Sequence, residues 1–271
     1  MSRVTSSDGV SVALHRFGGP EEGPTLLISH ATGFHAHCYR PLADRLVSTF
    51  RVFALDHRGH GETEAPEGWN VDWRRFGDDC VAVCEAIAPT GGIIGVGHSM
   101  GGASLLMAAH RRPDLFSRLV LFEPIAVDPN GPAVDMESHP LVVGARRRRR
   151  RFGSADEAVE NFRGKPPLSL MRDDVLRAYV QHGFRRTDDG ALELICRSEI
   201  EAGTFLTSHL SGVWDLLPGI DVPTDVVSGF VSDDEPSGRC AEIAALLPAG
   251  RSVRWDHQTH LGPFSHPDEL A

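Results

Sequence analysis

One serine held between glycines, Gly97-His98-Ser99-Met100-Gly101, separates the run GGIIGVG (91–97) from the helix-forming run ASLLMAAHRR (103–112), which Pro113 stops. A chain that leaves a strand and enters a helix in so few residues must turn very sharply. The serine is then in a strained backbone conformation, and side chains at the two flanking positions would clash. Passages from strand directly into helix build mostly parallel sheets covered by helices, and the rest of the first half agrees. TLLISH (25–30), FRVFALD (50–56) and LVLFEP (119–124) are strand-like, and Trp73, Phe76, Cys80, Val83 and Ile87 recur at the spacing of an amphipathic helix.

After Pro124 the texture changes to a loop rich in Pro, Gly and Asp and then to helix-like segments without β-runs, as far as about Leu217. Strand signals return with DVPTDVVSG (221–229) and RSVRWD (251–256), with a helix expected between them near 240–247. The sequence therefore predicts an α/β core from residues 1–124 and 217–271, with 125–216 inserted as a helical lid. A chain of 271 residues is long enough for one such domain. No internal repeat is evident.

Composition narrows the function classes. The formal net charge is −10, which argues against general binding to nucleic acid or to an anionic membrane. No apolar run approaches the ~20 residues needed to span a bilayer. The N-terminus lacks the apolar segment of an export signal and reads as two short alternating segments around Asp8-Gly9. Five cysteines with no Cys-x-x-Cys pair suggest neither a zinc site nor a disulfide framework, so a reducing compartment, the cytoplasm, is expected. Cys80 and Cys84 are read as small core residues of one helix. The run Arg146–Arg151 points all round a helix and is read as a solvated face paired with the acids that follow, rather than as an anion clamp.

The glycines raise the Ser99 hydroxyl clear of the sheet, and the helix that follows aims its N-terminus, with the Met100 N–H, at the place where an oxyanion would form. Together with SHATGF (29–34) after the first core strand and DHRGHGET (56–63), this order of motifs resembles the α/β-hydrolase superfamily over nearly the whole chain. The resemblance implies an α/β-hydrolase fold and a serine nucleophile. It assigns the second oxyanion donor to the Thr32 N–H, since Ala31 stands where the family usually has glycine. It also makes Asp56, Arg58 and His60 scaffold.

The family takes its catalytic histidine from a point after the last strand, where DHQTHLGPFSHPDEL offers His257, His260 and His266. The stretch LGPFSHP that follows selects His260. For the orienting acid, GFVSDDEP offers Asp233, favoured by its Ser-Asp match, with Asp234 as neighbour and competitor. Glu123, at the end of LVLFEP, is a third choice because some members draw the acid from there.

What the resemblance implies is a cofactor-independent serine hydrolase with no metal, acting on a small molecule with an electrophilic carbonyl: a carboxylic ester, lactone or thioester. C–C bond hydrolysis and cofactor-free lyase chemistry use the same triad, the second needing a lid lysine for which Lys165 is the only candidate. A receptor built on the same fold is a reading of another class. Ser99 excludes relatives that need an aspartate nucleophile. Oligomeric state, a homodimer included, is left open.

Overall fold

The computed structural model describes residues 1–132, 134–230 and 236–271. Its frame is an eight-stranded sheet in the order β1-β2-β4-β3-β5-β6-β10-β11. The chain begins with an antiparallel pair, β1 (Ser2–Thr5) and β2 (Ser11–Gly18), turning at Gly9, whose φ of +88° only glycine adopts readily. Parallel strands follow: β3 (Thr25–Ser29), β4 (Arg51–Asp56), β5 (Ile93–His98), β6 (Phe116–Phe122), and later β10 (Thr224–Ser228) and β11 (Gly250–Arg254). Only β2 runs against the others, antiparallel to β1 on one side and to β4 on the other.

The helices between these strands are α1 (Arg40–Leu46), α2 (Trp73–Ile87) and α3 (Met100–Arg111). Helix α2 is amphipathic as its spacing predicts, capped by the Asp72 carboxylate, which accepts from the Arg74 N–H at 3.0 Å. Helix α3 is different: every residue from Met100 to Ala109 is buried. Its sequence is apolar or small all round, which suits a helix enclosed between the sheet and α2.

Residues 125–216 contain α4 (Pro140–Arg147), α5 (Ala155–Arg163), α6 (Asp173–Gly183), α7 (Ser198–Leu206) and α8 (Val213–Leu216). The expectation of an insertion without strands is corrected. β7 (Arg151–Phe152), β8 (Phe184–Arg186) and β9 (Leu192–Leu194) form a small antiparallel sheet in the order β7-β9-β8. Strands of two and three residues are too short to display a period of two. Several apolar residues of this region pack inward with the core: Phe152, Phe162, Leu176, Tyr179 and Phe184 share one buried cluster with Ile28, Tyr39 and Leu42. After β10 come α9 (Cys240–Leu246), then, beyond β11, the one-turn helices α10 (Gly262–Ser265) and α11 (Pro267–Leu270).

The arginine run also departs from expectation. Helix α4 ends at Arg147, and the next residues run extended into β7, so the six side chains do not share one helix. Arg146 pairs with Glu137, Arg149 with Glu157 and Arg151 with Asp189, all at the surface. Arg148 instead turns inward, where its guanidinium meets Glu201 at 2.8 Å and the Tyr179 hydroxyl at 3.1 Å. All five cysteines are buried and unpaired. Among the described residues no helix is long and apolar enough to cross a membrane.

Candidate active site

Strands β5 and β6 are neighbours in parallel register, with His98 opposite Phe122. Ser99 and Glu123 are the next residues on each strand. They are the only two non-glycine residues with positive φ among those described, at 54° and 45°. Such conformations are costly and persist only where the surroundings enforce them. Here the enforcement is visible: the Ser99 N–H donates to the Phe122 carbonyl at 3.0 Å, the Ile125 N–H donates to the Ser99 carbonyl at 3.2 Å, and the Glu123 N–H donates to Val227 on β10 at 2.9 Å.

The glycines around Ser99 have the steric role that the sequence suggests. A Cβ on Gly97 would lie 2.6 Å from the Gly102 Cα, and one on Gly101 would lie 2.1 Å from the Ser29 carbonyl oxygen. A side chain at either position would push α3 off the ends of β3 and β5. Ser99 is 6% exposed, at the mouth of the turn. Its hydroxyl makes no hydrogen bond among the described residues.

Of the three late histidines, His260 lies beside this turn, its ring centroid 4.9 Å from that of His98. The other two are exposed: His257 pairs with Glu269 at 2.7 Å and His266 with the Ser265 hydroxyl at 2.9 Å. His260 Nδ1 is 2.6 Å from Glu123 Oε2. The other oxygen of that carboxylate accepts from the Gly229 N–H at 2.7 Å, so Glu123, 1% exposed, is held at both ends. The carboxylate that reaches the histidine ring is thus the third choice of the sequence reading. Asp233 and Asp234 lie outside the described residues.

The Met100 N–H stands at the start of α3, where a helix offers no acceptor, and neither it nor the Thr32 N–H has a partner among the described residues. The peptide before Thr32 is clamped on both sides. The Ala31 N–H donates to Tyr39 Oη at 3.1 Å, and the Ala31 carbonyl accepts from His30 Nδ1 at 2.8 Å and from the Phe34 N–H at 3.2 Å. Ala31 has no positive φ, so the alanine costs no strain there. The conformational demand falls on Gly33, whose φ is +80° and where a Cβ would stand 2.5 Å from Glu201 Oε1.

Asp56, Arg58 and His60 serve the frame. Asp56 Oδ1 accepts from the Ala36 N–H, and Oδ2 accepts from the Glu62 N–H and lies 2.9 Å from His15 Nε2. Burial alone would raise the Asp56 pKa, but the His15 hydrogen bond and the nearby imidazoles outweigh it and lower the value. Arg58, wholly buried, is held bidentate by Asp79 and capped by Asp8. Burial, with further repulsion from a neighbouring imidazole, pushes His30 down to about 3, and burial pushes His60 down to about 4, so both are neutral. Among the described residues no three His, Cys, Asp or Glu side chains are grouped to hold a metal ion.

Comparison with known proteins bears on the family and the fold. The profile of the Alpha/beta hydrolase family matches residues 26–271. The mouse protein "Monoglyceride lipase" is 36% identical over 118 residues, a stretch that spans 41% of this chain but only 39% of the mouse protein. The "Magnesium-chelatase 30 kDa subunit" of Rhodobacter capsulatus is 30% identical over 250 residues, 88% of this chain and 81% of that protein. In fold, the solved structure of E-2-(acetamidomethylene)succinate hydrolase superposes with a TM-score of 0.81 at 22% identity, covering 99% of this chain and 94% of that one.

Proposed function

Because the chain belongs to the alpha/beta hydrolase family, we propose that it is a cofactor-independent serine hydrolase cleaving a small carboxylic ester, lactone or thioester through an acyl-enzyme on Ser99. The observation that carries this reading is the pairing of two strained residues, Ser99 and Glu123, on adjacent strand ends, with the His260 ring hydrogen-bonded to the second of them. Strain enforced twice at the carboxyl ends of adjacent interior strands supports groups held for chemistry rather than for packing.

In this mechanism Glu123 accepts a hydrogen bond from the Nδ1–H of His260, which holds the proton on Nδ1 and leaves Nε2 free as the base. Substrate binding closes the hydrogen bond between Nε2 and the Ser99 hydroxyl, since such contacts commonly tighten only in the complex. The Ser99 oxygen attacks the carbonyl carbon as its proton passes to Nε2, and the oxyanion accepts from the N–H groups of Thr32 and Met100. Collapse expels the alcohol or thiol, which takes the proton from His260. Water, deprotonated in turn by His260, then releases the acid. Each oxyanion donor contributes about 10²-fold to 10³-fold in rate in comparable enzymes.

Residues 125–216 act as the lid in this reading, packed against the core through the Phe152 to Phe184 cluster. The lyase alternative needs a lid lysine near Ser99. Lys165 is exposed and donates to Asn161 at 2.7 Å, which favours hydrolysis. Five buried cysteines without disulfides fit a reducing compartment, the cytoplasm.

The test is the intact mass after exposure to a fluorophosphonate. Wild type should gain a single adduct that Ser99→Ala and His260→Ala do not, and esters, lactones and vinylogous diketones are then screened side by side. Folded wild type that stays unlabelled and turns over none of them sinks the hydrolase reading in favour of a binding role.

A further inference from the structure

His98, the variable residue of the Gly-x-Ser-x-Gly turn, and Tyr39, in the short helix Ala36–Tyr39 that follows the SHATGF loop, are both buried, at 2% and 1% exposure. Neither belongs to the triad nor to the oxyanion donors, yet together they join them. His98 Nε2 is 2.8 Å from the His260 carbonyl oxygen, an acceptor only, so Nε2 carries the proton. Nδ1 is then an acceptor, and the Tyr39 hydroxyl donates a hydrogen bond to it at 2.8 Å. The Tyr39 oxygen in turn accepts from the Ala31 N–H at 3.1 Å. Every donor and acceptor in the chain from Ala31 to His260 is fixed by its neighbour, with no freedom left in tautomer or rotamer.

We propose that Tyr39 and His98 are positioning residues that tie the peptide preceding the Thr32 oxyanion donor to the backbone of His260, and so set the distance between oxyanion site, nucleophile and base. The proposal rests on the serine-hydrolase reading above. Three further features support it. The relay runs through the residue next to Ser99, so the loop before Thr32 and the backbone of His260 are joined at the nucleophile's own turn. The Ala31 N–H is consumed by Tyr39 and so is no oxyanion donor, whereas the Thr32 N–H has no partner among the described residues. The third is charge: burial, and the His260 ring beside it, hold His98 well below the usual imidazole range, so it stays neutral and keeps this pattern at physiological pH.

The experiment compares Tyr39→Phe, His98→Asn and His98→Gln with wild type and Ser99→Ala, reading kcat and KM on a short ester together with the melting temperature. An asparagine at 98 offers its amide near the place of Nδ1 and reaches Tyr39. A glutamine puts an N–H near the place of Nε2 and reaches the His260 carbonyl. Tyr39→Phe, which cuts the link to His98, and His98→Asn and His98→Gln, which each keep one link and cut the other, should all lose about 10²-fold in kcat, the effect of an ångström-scale misplacement, with KM within about threefold. A folded Tyr39→Phe, His98→Asn or His98→Gln protein with wild-type kcat, or a loss confined to KM, overturns the relay. If Tyr39→Phe does not fold, the two His98 variants decide between these outcomes alone. A Ser99→Ala protein that turns over normally sinks the hydrolase reading and the relay with it. An inactive Ser99→Ala beside unchanged relay variants sinks the relay only.

Discussion

In the core, six histidines, His15, His30, His35, His57, His60 and His98, are buried, and most are held by hydrogen bonds to backbone or neighbouring side chains. In the insertion, His139, His182 and His209 all keep contact with solvent, and the polar side chains are joined by arginine–carboxylate pairs instead. A neutral imidazole hydrogen-bonded at fixed atoms specifies direction and tolerates a dry site, which suits the loops that carry Thr32, Ser99 and His260. Exposed ion pairs are weak and easily rearranged, which suits a surface layer that need only cover. Arg148 and Glu201 are the exception: a largely buried pair in the insertion whose carboxylate lies against Gly33 of the core loop.

Acid should break this contrast most completely. Burial lowers the pKa of His30, His35, His57, His60 and His98, to about 3 and about 4 for the first two. Above about pH 6.5 both folded and unfolded chains are neutral at these sites. As pH falls below that, only the unfolded chain takes up protons, so stability is lost progressively toward the folded-state values. Each histidine contributes a loss of up to about 1.4 kcal/mol per pH unit, and five together rival a typical margin of about 5–15 kcal/mol. The melting temperature should fall by about 10 °C or more between pH 7 and pH 5. A flat profile over that range would show that these rings are not held neutral.

Within the site end of the core, Glu123→Gln is the sharper cut. It keeps the shape and an acceptor for the Gly229 N–H but turns an amide toward His260 Nδ1, forcing the wrong tautomer. The kcat should fall about 10⁴-fold with little change in melting temperature, whereas Asp233→Asn should stay within about tenfold of wild type. The reverse pattern would return the acid to Asp233 and make Glu123 a buried strut.

Smaller effects test the insertion. Arg148→Met leaves the Glu201 carboxylate buried and alone, and should destabilise by about 3–5 kcal/mol. Arg146→Gln removes only an exposed pair and should change stability by less than about 0.5 kcal/mol. Urea melts of the two variants read the difference directly. Equal effects would mean that Arg148 is no more embedded than the rest of the run.

Some of this was legible before any coordinates. The glycines at 97 and 101 followed from local geometry, because a strand that turns into a helix within five residues leaves no choice of residue type, whereas the late histidine came from the resemblance to the family. The choice among carboxylates was not legible. Glu123, Asp233 and Asp234 all follow a strand, and local sequence does not say which strand end meets His260. That depends on β6 and β10 lying side by side. Tyr39 and His98 gave no signal either, since a buried tyrosine and a histidine far apart in the chain read as packing until the fold brings them together.

By itself, then, the sequence determined what is set by neighbours along the chain: the strained turn at Ser99 and the strand and helix periods. Tertiary structure alone decided what is set by neighbours across it. It brought Glu123 to His260, linked Ala31 to His260 through two buried rings, and turned one arginine of six inward. Sterics of adjacent residues act over a few bonds and leave their mark in residue type. A hydrogen bond between segments more than a hundred residues apart exists only once the sheet has aligned them.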